Sequence, residues 1–260
     1  MHHIHIDRFA GISSPVHAID PRAKLLAALA LIILVVLTPE GYFFSFTVYG
    51  ITIGIVLVLS RIPIGYILKR SLVIIPFALA ISFFIPFITP GSVLWDFSVF
   101  GRTVQITSTG TERFVSLGLK AFLSFCTVIT LVSSTRFGDL MWAAGELGFP
   151  SKLVMIMSFM YRYLFIIVDE ASHMILARDL RSCTRTRNPL LLASGGIIGA
   201  LWVRSYEHAE KLYYAMLLRG YTGQPMPLKT RHFMARDAVM TLVFVGSAVA
   251  GLLAGILTHV

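Results

Sequence analysis

The sequence predicts an all-α integral membrane protein, with about five transmembrane helices and a cytoplasmic domain of long helices. Three observations point there. Of the 260 residues, 56% are hydrophobic and only 13% charged, with a mean hydropathy of +0.79, whereas a soluble domain carries about 25% charged residues. Several apolar stretches approach the ~20 residues that a helix needs to cross a bilayer. The basic residues are spread so unevenly that one orientation gathers nearly all of them on one side.

The elements follow in chain order. The first 20 residues are polar and lack an apolar core, so no cleavable signal peptide is expected. Leu25–Thr38 reads as a short first span and Tyr42–Leu59 as the second. Leu72–Ile88 reads as the third, bent by Pro76 and Pro86. The stretch "GSVLWDFSVFGRTVQITSTG", residues 91–110, is rich in turn and β-forming residues and reads as a small outward hairpin. Phe114–Val132, interrupted by Lys120, is the fourth span. Ala238–Leu257, with Gly246, Gly251 and Gly255 along it, is the fifth.

Two further apolar stretches, Leu153–Val168 and Pro189–Val203, leave hydropathy undecided between five and seven crossings. Charge decides. Five spans with the N-terminus inside and the C-terminus outside put every Lys and Arg on the inner side except Arg102, Arg113 and Lys120. Seven spans would expose Arg178, Arg181, Arg185 and Arg187 in one outer loop and place Arg162 inside a span, where a charge is costly. The chain therefore divides into residues 1–134 (N-terminal segment and four spans), 135–230 (a cytoplasmic helical domain) and 231–260 (a fifth span packing with the first four). In the middle part, Pro150 opens a long helix running to about Arg181, and Pro189 a second running to about Leu218.

Few residues offer catalysis. There is no phosphate-binding glycine-lysine loop and no HExxH. Glu170-Ala171-Ser172-His173 is a single E-x-x-H, where a di-iron bundle needs two with further carboxylates. His2, His3 and His5 in "MHHIHID" could chelate a transition metal, but the topology puts them in the cytoplasm, the wrong side for capturing an imported ion. Cys126 and Cys183 give no disulfide framework. No soluble basic domain stands apart from the spans, so nucleic acid is not an expected partner.

One signature occurs twice. Leu180-Arg181-Ser182-Cys183-Thr184 and Leu218-Arg219-Gly220-Tyr221-Thr222 both read Leu-Arg-small-x-Thr, each near the end of a long helix. An arginine there meets the favourable end of the helix dipole and presents a planar fork of five donors. The pair reads as two plugs for two acidic sockets, or as two basic ends facing anionic lipid. Between them, Gly195, Gly196 and Gly199 form a G-x-x-x-G step that permits close helix crossing. Met155, Met157, Met160 and Met174 suit a surface that repacks, and equally ordinary helix packing.

The stretches "IDRFAGISSPVHAIDPRAKLLAALALI" (Ile6–Ile32), "STRFGDLMWAAGELGFPSKLVMIMSFMYRYLFIIVDEASHMILARDLRS" (Ser134–Ser182) and "AMLLRGYT" resemble the CbiQ-type transmembrane (T) component of energy-coupling factor (ECF) transporters. His17-x-x-Asp20-Pro21-Arg22-x-Lys24 resembles the cobalt and nickel branch. The resemblance implies a non-catalytic subunit of the bacterial cytoplasmic (inner) membrane whose long crossed coupling helices engage two CbiO-like ABC-type ATPases. It matches Leu180-Arg181-Ser182 and Leu218-Arg219-Gly220 to the family's two Ala-Arg-Gly-like coupling tripeptides, with Leu for Ala in both and Ser for Gly in the first. It also implies a CbiM-like membrane subunit, with or without a small CbiN-like one, that binds the cobalt or nickel ion. ATP and magnesium then belong to the ATPases, and this chain carries no cofactor, metal ligand or catalytic residue. A stand-alone cation permease is the alternative; it would need ionisable residues in the spans, which are nearly free of them apart from Lys120.

Overall fold

The computed structural model describes residues 14–83, 85–90, 92–99, 102–181, 187–221 and 235–259. Its helices are α1 (Pro15–Ala18), α2 (Pro21–Leu37), α3 (Phe43–Ser60), α4 (Ile64–Leu72), α5 (Ile75–Ser82) and α6 (Ile85–Ile88), then α7 (Ser108–Ser134), α8 (Phe137–Glu146), α9 (Ser151–Arg181), α10 (Arg187–Leu218) and α11 (Ala235–His259). Between α6 and α7 lies the expected hairpin, β1 (Val93–Val99) paired antiparallel with β2 (Arg102–Thr107). Two compact units result. One runs from Ala144 through Tyr221; the other combines the chain before Ala144 with α11.

In the second unit, the direction of each helix follows from its ties. Asp20 caps α2, its Oδ1 accepting from the Arg22 amide at 2.9 Å, with Pro21 in the first turn. One turn on, the buried Lys24 ammonium donates to the Ser134 carbonyl at 3.1 Å and the Thr135 hydroxyl at 3.4 Å, so α2 starts where α7 ends. At the opposite end Arg113 pairs with Glu40 at 2.5 Å. Val16 and Ile19 share a cavity of about 90 Å³ with Ile53 and Val56 of α3 and with Met240 and Phe244 near the start of α11. At the far end Ser45 Oγ donates to the Gly251 carbonyl at 2.9 Å. Thus α2 and α11 run one way, and α3 and α7 the other.

One of the five expected spans differs in form, and the first is short as expected. Leu72–Ile88 is not one bent helix: α4 ends at Leu72, and α5 and α6 follow as separate short helices. Pro76 sits in the first turn of α5 and Pro86 within α6; a proline removes a backbone donor and clashes with the preceding turn, so a second one within ten residues leaves no room for a full-length helix. The first span, α2, has 17 residues, about 25 Å at the helical rise and short of a ~30 Å hydrocarbon core. Among the described residues four helical stretches are long and apolar enough to cross a membrane: α3, α7, α9 and Asp237–Gly255 of α11. That α9 belongs to this set is the ambiguity that hydropathy left open for Leu153–Val168.

The interior of this unit is unusual in its polarity. Ser45, Ser60, Ser71, Ser82 and Ser116 are almost wholly buried, while Leu37, Ile51, Val58, Val73 and Leu242 are exposed. Water would enforce the opposite arrangement. Hydrocarbon tolerates apolar side chains outside and rewards small residues and hydroxyl bonds between helices. Thr38 Oγ1 accordingly lies 3.0 Å from the Tyr49 hydroxyl, and Ser71 Oγ lies 3.2 Å from Cys126 Sγ. Around them pack Leu31, Val35, Phe46, Tyr49, Ile53 and Ile129. A Cβ on Gly251 would stand 2.9 Å from Val48 Cγ1, so glycine sets how closely α11 approaches α3.

Candidate functional site

The repeated arginine signature falls on the other unit, which begins at Ala144. Phe149 closes α8 with its amide donating to the Ala144 carbonyl at 3.1 Å, and Pro150 then accepts from the amides of Leu153 and Val154. A 31-residue helix, α9, follows and contains no buried residue. Its 32-residue neighbour α10 runs back beside it. Three contacts fix that register: the Tyr221 hydroxyl donates to Met155 Sδ, the Tyr163 and His208 rings are 6.2 Å apart, and Arg204 pairs with Glu170. Position numbers rise along α9 as they fall along α10, so the pair is antiparallel. Between the helices lies a groove of about 770 Å³, lined by Phe159, Met160, Tyr163, Ile167, Leu201 and His208 among others.

Arg181 is the last residue of α9 and Arg219 immediately follows α10. Because Met155 lies beside Tyr221, the two arginines occupy opposite ends of the pair, separated by the length of α9 from 155 to 181, roughly 40 Å at the helical rise. The leucine before each is nearly free of contact: Leu180 is 78% and Leu218 90% exposed. Ser182 lies outside the described residues, as do Thr184, Thr222 and the histidines His2, His3 and His5.

The second copy has a defined local geometry. The amide of Tyr221 donates to the Met216 carbonyl at 3.0 Å, and that of Gly220 to Leu217 at 3.0 Å. Gly220 sits at φ +76°, so the turn is a Schellman C-cap, which favours glycine because a side chain is strained in that region. Gly220 is therefore small for the sake of its backbone as well as of any partner. The cap turns the chain sharply after Arg219 and leaves Leu218 and Arg219 at an exposed corner.

Among the described residues the glycine step makes no close approach within this chain. A Cβ built on Gly195, Gly196 or Gly199 would meet nothing within 4 Å. Helix contact is made instead through the side chains of Tyr163, Glu170, Arg204 and His208, which are too large for a glycine-mediated approach. Of these four only Glu170 belongs to a motif visible in the sequence, the E-x-x-H, and its carboxylate takes the Arg204 guanidinium. Among the described residues no group of three His, Cys, Asp or Glu side chains is placed to hold a metal ion. Met155 contacts Tyr221 and Met160 lines the groove, while Met157 is exposed.

The motif His17-x-x-Asp20-Pro21-Arg22-x-Lys24 is structural at every described position. Ser14 Oγ caps α1 and lies 2.6 Å from His17 Nδ1. Asp20 caps α2, Lys24 holds the end of α7, and the Arg22 guanidinium stacks 4.3 Å over the Trp142 ring of α8. Lys120, the cation inside a span, reaches the Val36 carbonyl at 3.1 Å and so caps the end of α2.

Residues 12–229 match the family model CbiQ, described as cobalt transport protein. The energy-coupling factor transporter transmembrane protein EcfT of Brevibacillus brevis is 27% identical over 94% of this chain and 96% of its own length. The putative fused cobalt transport protein CbiMQ of Methanocorpusculum labreanum is 27% identical over 93% of this chain and 41% of its own length. The cobalt transport protein CbiQ of Rhodobacter capsulatus is 26% identical over 56% of this chain and 59% of its own.

Proposed function

The chain belongs to the CbiQ family of cobalt transport proteins, and from that premise we propose that it is the non-catalytic transmembrane component of an ATP-driven ECF importer for cobalt or nickel. Its relatives include a protein named as the transmembrane protein of an ECF transporter and one fused to a CbiM part. Both names favour a role beside partners rather than a stand-alone permease. Lys120, the ionisable residue a permease could use inside a span, is engaged in capping Val36. In this reading two CbiO-like ATPases bind and hydrolyse ATP with magnesium, a CbiM-like membrane subunit binds the ion, and α9 and α10 transmit motion between them. The basic end of the membrane unit, with Arg22, Lys24 and Arg61, faces the cytoplasm.

One observation carries the proposal: two arginines of matching sequence, each beside an almost fully exposed leucine, at opposite ends of one antiparallel helix pair. A guanidinium at each end can enter an acidic socket on each of two copies of the same ATPase, and the separation suits two bodies rather than one. Removing a desolvated, paired arginine costs ~2–5 kcal/mol of binding. Arg181→Ala combined with Arg219→Ala is therefore expected to abolish co-purification with the ATPases, while the chain still inserts in the membrane and elutes as a single species. An intact complex with normal ATP-driven uptake from the double variant would reject the proposal.

A further inference from the structure

The junction of α3 and α4, within the membrane unit, holds a second basic feature. Arg61 ends α3 at φ 56°, ψ 23° and is, among the described residues, the sole non-glycine at positive φ. A left-handed residue other than glycine is disfavoured by its Cβ, so an arginine here holds a cation at that corner against the backbone's preference. Such an outlier is a starting point for a functional hypothesis.

Helix α4 then presents three faces. Ile67 and Ser71 are buried, with Ser71 against Cys126 of α7. Leu68 and Leu72 are exposed on a second, apolar side. Lys69 and Arg70 lie on the third, and both are in the last turn. The Arg70 guanidinium does not extend outward from that turn. It folds back one turn to donate to the Tyr66 hydroxyl at 2.5 Å and lies 5.8 Å from the centre of its ring. Ser71 packs beside Cys126, eight residues before the end of α7, which in the proposed orientation puts the last turn of α4 within the apolar layer. Folding back therefore lifts the charge towards the level of Arg61, as a snorkelling side chain does. Among the described residues no carboxylate pairs with Arg61, Lys69 or Arg70.

We propose that Arg61, Tyr66, Lys69 and Arg70 form a binding site for the headgroup of an anionic phospholipid, with its acyl chains along Leu68 and Leu72. The charge is complementary and unpaired by protein carboxylates, the apolar flank adjoins it, and an aromatic ring sits at the level where tyrosines anchor to the membrane surface. This reading does not depend on the coupling role of Arg181 and Arg219.

Purified full-length protein in mixed micelles holding equal amounts of phosphatidylglycerol and phosphatidylcholine tests it by native mass spectrometry. Phosphatidylglycerol is expected to be retained in preference. Each cation contributes about fivefold to affinity, so Arg70→Ala should weaken retention about fivefold and Arg61→Ala/Lys69→Ala/Arg70→Ala roughly a hundredfold, with Arg70→Lys close to the parent. No preference for phosphatidylglycerol by the unmodified protein would overturn the proposal without any variant having to fold. So would undiminished retention by the triple variant, or displacement of the lipid by millimolar inorganic phosphate, which would mark a phosphate site. Loss of ATPase binding by the triple variant with its lipid retained would make the patch a protein-docking face and equally overturn it.

Discussion

The two units use apolar residues in opposite ways. In the membrane unit, α2, α3, α7 and α11 share a core in which Tyr49 and Val35 are wholly buried and buried hydroxyls bond across helices. The pair α9 and α10 has no such core: α9 buries nothing, and Ile156, Met160, Leu176, Ile198 and Trp202 stand exposed. The first unit is satisfied by itself and by lipid. On the proposed reading the α9–α10 pair lies outside the bilayer, where an exposed apolar surface of that kind marks a contact still to be made. On that reading, completeness in one unit and incompleteness in the other separate the part that anchors from the part that engages.

Substitutions should therefore have different readouts in the two units. The largest effect is expected from Gly251→Leu in α11. Its Cβ alone would stand 2.9 Å from Val48 Cγ1, and overpacking of this kind costs about 1–3 kcal/mol or more. The melting temperature in detergent should fall sharply, and an unchanged value would mean that α11 packs loosely. Next comes Lys24→Met, which removes hydrogen bonds from a buried ammonium to the Ser134 carbonyl and Thr135 hydroxyl. Leaving those acceptors unsatisfied should cost about 1–3 kcal/mol, again seen by thermal denaturation. Gly220→Ala should lower the melting temperature little, yet the strain of its left-handed cap, about 1 kcal/mol, should reduce ATPase capture severalfold in a pull-down. Arg204→Ala is the smallest. It removes a solvent-exposed ion pair with Glu170, worth about 0.2–1 kcal/mol, and should leave capture within twofold of the parent. A large loss of melting temperature from either of the last two would break the contrast between the units.

Local signals were the legible ones. Turn and β residues between Pro90 and Gly110 announced the hairpin, and Pro150 the start of α9. The duplicated Leu-Arg was visible because both copies are contiguous. What escaped depends on distant pairing. Glu170 with Arg204 and Met155 with Tyr221 join residues dozens of positions apart, and no periodicity announces them. The glycine step has a related limit: G-x-x-x-G states that helices can approach closely there, and it does not say which neighbour comes; α9 does not. The third span was expected to be bent by its prolines; that Pro76 and Pro86 divide Leu72–Ile88 into separate helices, where a bend would also satisfy the sequence, is settled by packing that hydropathy does not count.

The serine-lined interior also sets which changes the fold could absorb over generations. Ser45, Ser60, Ser71, Ser82 and Ser116 are almost wholly buried, so a small side chain is what fits there. Drift among serine, alanine and glycine at these points should leave the bundle standing, whereas a single leucine would wedge it open. In water-soluble cores the usual intruder is a polar group; in this one it is bulk.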